Sequence, residues 1–175
     1  MNSLNILFSY NYISSLVVMT WFDILFGINE GFLNSEAAFE HAYNIIEKEE
    51  NPSQKTLDLA FLSQNESIYP LIEKLVNDEN YQDKQLTREK YLFAVLNWVY
   101  ENQNLFVEPL SAVECIYADF DYPENISEFI RYASNSEADL GSLELNLKRI
   151  HDKWENYLEK EKEKWKYSSQ VELRG

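Results

Sequence analysis

The chain predicts an all-α fold: a compact, irregular bundle of seven or eight helices forming a single domain. Three observations carry that expectation. Apolar residues recur at three- and four-residue spacing through most of the chain. Glycine and proline number only four each, too few for a sandwich or barrel that must turn every ~8–12 residues. Ser, Thr, Asn and Pro stand where the periodic runs begin, as helix caps and first-turn residues do. With 175 residues, 45% apolar and 15% aromatic, the chain can bury a core without disulfides or metal. Residues 1–19 form an N-terminal segment or an extra helix, residues 20–166 the helical domain, and residues 167–175 a flexible tail.

The elements follow in order. Thr20 caps a helix starting at Trp21, which Gly27 or Gly31 ends. Asn34 or Ser35 opens the next, with Phe39, Ala42, Tyr43 and Ile46 on one face. Asn51-Pro52 reads as an N-cap followed by Pro at the first helical position, opening a short helix that carries Leu57, Ala60 and Phe61. Asn65 starts another, striped by Ile68, Leu71, Ile72, Leu75 and Val76, with Pro70 kinking it or delaying its start. Asp78 to Gln85 is a polar loop, and Thr87 caps a helix reaching about Gln103. Between Tyr91 and Tyr100 that helix has a single polar residue, Asn97, so others pack around it. Ten residues exceed a typical strand, the competing assignment for so many Tyr, Phe, Val and Trp.

Pro109 opens a helix with Leu110, Val113, Ile116 and Tyr117 in register. Pro123 opens one with Ile126, Phe129, Ile130 and Ala133. Ser134 to Gly141 is a loop. Ser142 begins a long final helix with Leu143, Leu147, Ile150, Trp154 and Leu158 on one stripe, and Trp165 returns to that face. The stripe is short for a coiled-coil seam, so it packs on its own domain.

Charge narrows the function. Thirty acids against fifteen bases give a net charge of −15, which repels nucleic acid and anionic membranes. The single cysteine, Cys115, permits no internal disulfide and fits the cytoplasm. The apolar stretch Ile13 to Ile28 contains Asp23 and has no base before it, since the first is Lys48, so it is neither a secretory signal nor a membrane span. Asn2 occupies the position where myristoylation needs Gly.

Catalytic and metal-binding patterns are missing. Asp119-Phe120-Asp121 starts like a calcium loop, but Glu124 and Ile130 stand where that loop needs Gly and Glu. His41 and His151 stand alone; Glu36 and Glu40 offer His41 a carboxylate partner, but a surface or half-buried structural histidine is the favoured reading. Cys115 beside Glu114 is no activated nucleophile and reads as a small core residue. No phosphate-binding glycine loop or nucleophile elbow occurs. We therefore expect no catalytic residue, no cofactor and no metal.

Charge concentrates between Glu101 and Glu128, where seven acids stand without a Lys or Arg. The candidate partner-binding residues are Glu114, Tyr117, Asp119, Asp121, Tyr122, Glu124 and Glu128. Carboxylates steer a basic protein and pair with its Arg and Lys, and rings supply desolvated anchors. The competing reading is a solvated acidic face whose rings belong to the core.

Three segments carry a family resemblance: Trp21-Phe-Asp-Ile-Leu-Phe-Gly27 with Glu30-Gly-Phe-Leu33, Leu59-Ala-Phe-Leu62, and Ile116-Tyr-Ala-Asp-Phe-Asp-Tyr-Pro123 continuing to Phe129-Ile-Arg-Tyr132. Over residues 20–160 the chain resembles a bacterial all-helical domain-of-unknown-function family of small acidic proteins, similar to toxin-immunity proteins. The resemblance implies a cytoplasmic protein that neutralises a basic toxin domain by stoichiometric binding. The rival readings are a non-toxin adaptor or structural module that binds through an apolar groove, and a small-molecule binder or enzyme with a polar-lined pocket.

Overall fold

A computed structural model describes residues 1–63, 66–133 and 138–172, with side chains through Lys166. Every regular element among these residues is helical. There are eight α-helices: α1 Tyr10–Leu16, α2 Trp21–Asn29, α3 Glu36–Lys48, α4 Gln54–Ala60, α5 Tyr69–Asp78, α6 Lys84–Glu101, α7 Pro109–Asp119 and α8 Leu143–Glu172. Two 3₁₀ turns, Gln103–Leu105 and Glu124–Phe129, complete the set. The all-α expectation holds. The chain resolves into two compact units, one of Asn5–Arg88 and one joining Met1–Leu4 to the chain from Glu89 onward.

In the Asn5–Arg88 unit, α3 packs on α4, α4 on α5, and α2 on both α3 and α5. The start of α2 shows why the chain turns helical there. Thr20 Oγ1 accepts the Asp23 amide, and Asp23 Oδ2 accepts the Thr20 amide in return. The carboxylate of Glu79, just past α5, accepts the amides of Trp21 and Phe22 at 2.5 and 3.0 Å. The free N–H groups at the positive end of the helix thus meet oxygen acceptors, two of them carboxylates. The other carboxylate oxygen of buried Asp23 accepts the Thr87 hydroxyl at 2.5 Å. Gly27 lies inside α2, and Gly31, at φ 77°, ends it: Phe32 N–H donates to Gly27 O and Gly31 N–H to Ile28 O.

Several local expectations are corrected in this unit. Ser53, not Asn51, caps α4 by accepting the Thr56 amide, so Pro52 falls outside the helix. The α3 face turned inward is Ala37, Ala38, His41 and Ala42, because small side chains let α2 and α4 approach closely. Phe39 and Ile46 are half-buried and Tyr43 is exposed. Phe61 is 78% exposed, while Thr56, Leu59 and Ala60 are the buried residues of α4. Pro70 delays α5, as expected, to a start at Tyr69; Asn65 lies outside the described residues. Asp83 opens α6 by accepting the amides of Gln85 and Leu86, and Thr87 is a buried partner of Asp23 rather than a cap.

In the other unit, the middle of α6 is buried on all sides from Tyr91 through Asn97 and again at Val99, with Trp98 half-buried, as its composition requires. Trp154 of α8 meets Tyr100 edge-on at 5.1 Å, and Ile150, Leu158 and Trp165 continue its buried stripe. Ser142 Oγ accepts the Leu145 amide at the start of α8. The stripe begins later than expected, because Leu143 is 75% exposed. Pro109 opens α7 as predicted. Pro123 opens a 3₁₀ segment, not an α-helix; Ile126, Phe129 and Ile130 are buried and Ala133 is exposed. Of the Ser134–Gly141 loop, residues 134–137 lie outside the described residues. The chain from Tyr167 to Glu172 continues α8, and residues 173–175 of the expected tail lie outside the described residues.

Candidate functional site

The acidic stretch gathers at the C-terminal end of α7, where the chain reverses without a glycine. Asp121 and Tyr122 take left-handed backbone, at φ 62° and 58°. The Tyr122 amide donates to the Tyr117 carbonyl at 2.8 Å and the Asp121 amide to Ala118 at 3.2 Å. This is the geometry that ends helices at glycine, carried here by an aspartate that tolerates left-handed backbone. It sets the Tyr122 ring edge-on against buried Tyr117, with centroids 5.2 Å apart, and leaves Tyr122 60% exposed. Tyr132 joins from beyond the 3₁₀ segment, 6.2 Å from Tyr117.

The carboxylates divide among separate tasks. Arg131 grips Glu114 with two parallel bonds, Nε to Oε1 at 2.8 Å and Nη2 to Oε2 at 2.9 Å. It also donates to Glu108 at 3.1 Å and to the Ser111 hydroxyl at 2.8 Å. The Ser111 hydroxyl and then Arg131 hold Glu108 below the usual carboxylate range. The carboxylates, led by Glu114 accepting its hydrogen bonds, raise the Arg131 pKa above even the ordinary guanidinium value. Asp119 Oδ2 accepts both the amide and the hydroxyl of Ser3, at 2.7 and 2.8 Å, and so ties Met1–Leu4 to α7. Glu128 lines a separate hollow of about 410 Å³ with Asn125, Lys153, Asn156 and Lys160.

Of the seven sequence-predicted residues, the fold therefore sets Tyr117 against Tyr122 and leaves Asp121 and Glu124 exposed in the same turn. Glu114 and Asp119 are engaged in internal contacts. Sequence reasoning missed Arg131 and Tyr132 as members of this surface. The available signal was that Arg131 is the first base after Lys90, directly behind a run of acids.

Elsewhere, His41 is a structural histidine, buried rather than at the surface or half-buried as expected, with its Nδ1 2.9 Å from the Tyr10 hydroxyl. His151 Nε2 lies 3.1 Å from Gln103 Oε1. Cys115 is exposed, which corrects its reading as a core residue: α7 turns Ala112, Val113 and Ile116 inward instead. Among the described residues no group of three or more His, Cys, Asp or Glu is placed to hold a metal ion, and no helix is long and apolar enough to cross a membrane.

The model of a bacterial family matches residues 10–162, so the match begins earlier than the resemblance over residues 20–160 and takes in α1. No curated protein and no solved structure matches the chain. The chain belongs to the family described as "Uncharacterized protein conserved in bacteria (DUF2247)".

Proposed function

We propose that this chain is an immunity-type protein: it binds a basic bacterial toxin domain in the cytoplasm, one to one, and acts by occupying that partner's surface without catalysis. The observation that carries the reading is Tyr122, held by left-handed backbone and by the Tyr117 ring at 5.2 Å, yet 60% exposed beside the carboxylates of Asp121 and Glu124. An aromatic ring fixed before binding loses little freedom on contact, and flanking acids select a basic partner. The overall charge of −15 adds long-range attraction to any cationic toxin. The partner class is the one implied by the likeness to immunity proteins read from the sequence motifs.

Co-expression with the product of the neighbouring gene, scored for rescue of growth, tests the reading. Rescue that weakens with Tyr122→Ala plus Glu124→Lys supports this surface; undiminished rescue by that folded double variant removes it. Asp119 is left intact in this test because it holds Ser3.

A second reading, a non-toxin adaptor, draws on Leu143 and Leu145 at the start of α8, 75% and 50% exposed. Binding through that apolar turn would change little with salt, whereas acid-steered binding would weaken as salt rises.

A further inference from the structure

In the Asn5–Arg88 unit, α3, the end of α4 and the start of α5 enclose a groove of about 840 Å³. That volume lies within the ~300–1,000 Å³ range of ligand-binding clefts. Its walls carry three carboxylates, Glu36, Glu40 and Glu66, and three rings, Phe39, Tyr43 and Tyr69. None of its described lining residues is basic. On α3 the acids Glu36 and Glu40, and the rings Phe39 and Tyr43, are each four residues apart, so each pair runs along one side of the helix.

Parts of the groove are set in advance. The Tyr43 hydroxyl donates to the Ala60 carbonyl at 2.9 Å, which pins a ring that stays 48% exposed. Glu36 accepts the Asn34 side-chain amide, and Glu66 accepts the Ser63 backbone amide at 3.2 Å. Tyr69 stands exposed at the first position of α5.

We infer that this groove is a docking surface for an arginine-bearing segment of a protein partner. Charge complementarity names the occupant: a wall of carboxylates without a base accepts a cation. Rings interleaved with those acids favour a planar guanidinium, which forks onto carboxylates and stacks on aromatic faces, over a lysine ammonium. The groove's size fits a stretch of chain better than a lone small cation. The inference rests on the preceding section only in taking the partner to be a basic protein; the residues are different and lie in the other unit.

The test is isothermal titration of the full chain with a capped octapeptide of alternating arginine and glycine, alongside its lysine and citrulline counterparts and free arginine. Backbone amide shifts locate the contact. The expected result is binding of the arginine peptide with shifts confined to α3, the end of α4 and the start of α5, several-fold weaker binding of the lysine peptide, and none of the citrulline peptide. Glu36→Gln, Glu40→Gln and Glu66→Gln together should weaken binding at least tenfold, and Tyr69→Ala severalfold. Circular dichroism checks each fold, and Glu40→Gln alone is read if the triple variant unfolds. Equal binding by the folded charge variants, shifts centred on the end of α7, or free arginine binding as tightly as the peptide would each overturn the inference. Tyr122→Ala plus Glu124→Lys should leave peptide binding unchanged. If growth rescue fails while the peptide still fills the groove, the toxin reading falls and this one stands.

Discussion

The Tyr10 hydroxyl of α1 meets Nδ1 of His41 on α3 at 2.9 Å, in a pocket closed by the edge of Trp21, whose ring lies 4.5 Å from the imidazole. A neutral imidazole accepts the phenol proton there. A protonated one has no lone pair at Nδ1 and would instead donate to the phenol oxygen. Burial, aided by Lys48 and opposed by Asp23, pushes the His41 pKa down to about 4.

The burial of His41 makes stability depend on pH. In the unfolded chain His41 takes a proton near 6.5, and in the fold only near 4. Between those values the unfolded state holds more protons, so stability falls as the pH is lowered from 6.5 toward 4. The gap corresponds to about 3 kcal/mol. Urea unfolding of the native chain and of His41→Gln at pH 7, 5.5 and 4.5 checks this: the variant should start lower at pH 7 and show a flatter decline.

Arg131 organises one side of the α7 turn through Glu114, Glu108 and Ser111. Its side chain is about a third exposed, so screening tempers each pair. Replacing it by Ala should cost about 1–2 kcal/mol. Lysine should recover little, because it cannot reproduce the two parallel bonds to Glu114. Thermal melts of the three proteins decide between the outcomes.

At Asp121 the backbone is left-handed. Asp121→Gly should raise stability or leave it unchanged, while Asp121→Val should lower it by about 1–2 kcal/mol. Both remove the charge, so a partner that binds both variants as tightly as it binds the native chain, after allowing for folding, makes no use of this carboxylate.

Asp119→Ala should release Met1–Leu4, since its carboxylate holds both the amide and the hydroxyl of Ser3. Amide exchange at Ser3 should rise while the α7 core residues Val113 and Ile116 keep their protection.

Thr87→Val should destabilise by about 1–3 kcal/mol, because it removes the hydroxyl that buried Asp23 accepts. Thr87→Ser keeps the donor and should lose much less. Equal losses in denaturant titrations would mean that packing, not the hydrogen bond, holds this position.

Much of the fold was legible because it is local. Thr20 as the cap of α2, Pro109 at a first turn, Pro70 delaying α5 and the nearly all-apolar middle of α6 depend on neighbours within a few residues. The misassigned caps show where that locality ends. Thr87 has a good capping side chain, yet a carboxylate 64 residues away claims it, and Asp83 caps α6 instead. The inward face of α3 likewise went to Ala37, Ala38, His41 and Ala42 rather than to Phe39 and Tyr43, with α2 and α4 packed on the alanines and His41 bonded to Tyr10. Composition placed the acids and rings near the end of α7 but could not say which were engaged. Arg131 reaches back 17 residues to Glu114 and Ser3 reaches forward 116 to Asp119.

The sequence by itself determined a helical, strongly acidic chain and the stretch where its charge gathers, because periodicity, capping and net charge are properties of neighbouring residues. Only the tertiary structure decided that Tyr122 stands out against Tyr117, that Glu114 and Asp119 turn to internal partners, and that α3 lines a carboxylate groove. Each of those outcomes depends on side chains far apart in the chain meeting in space.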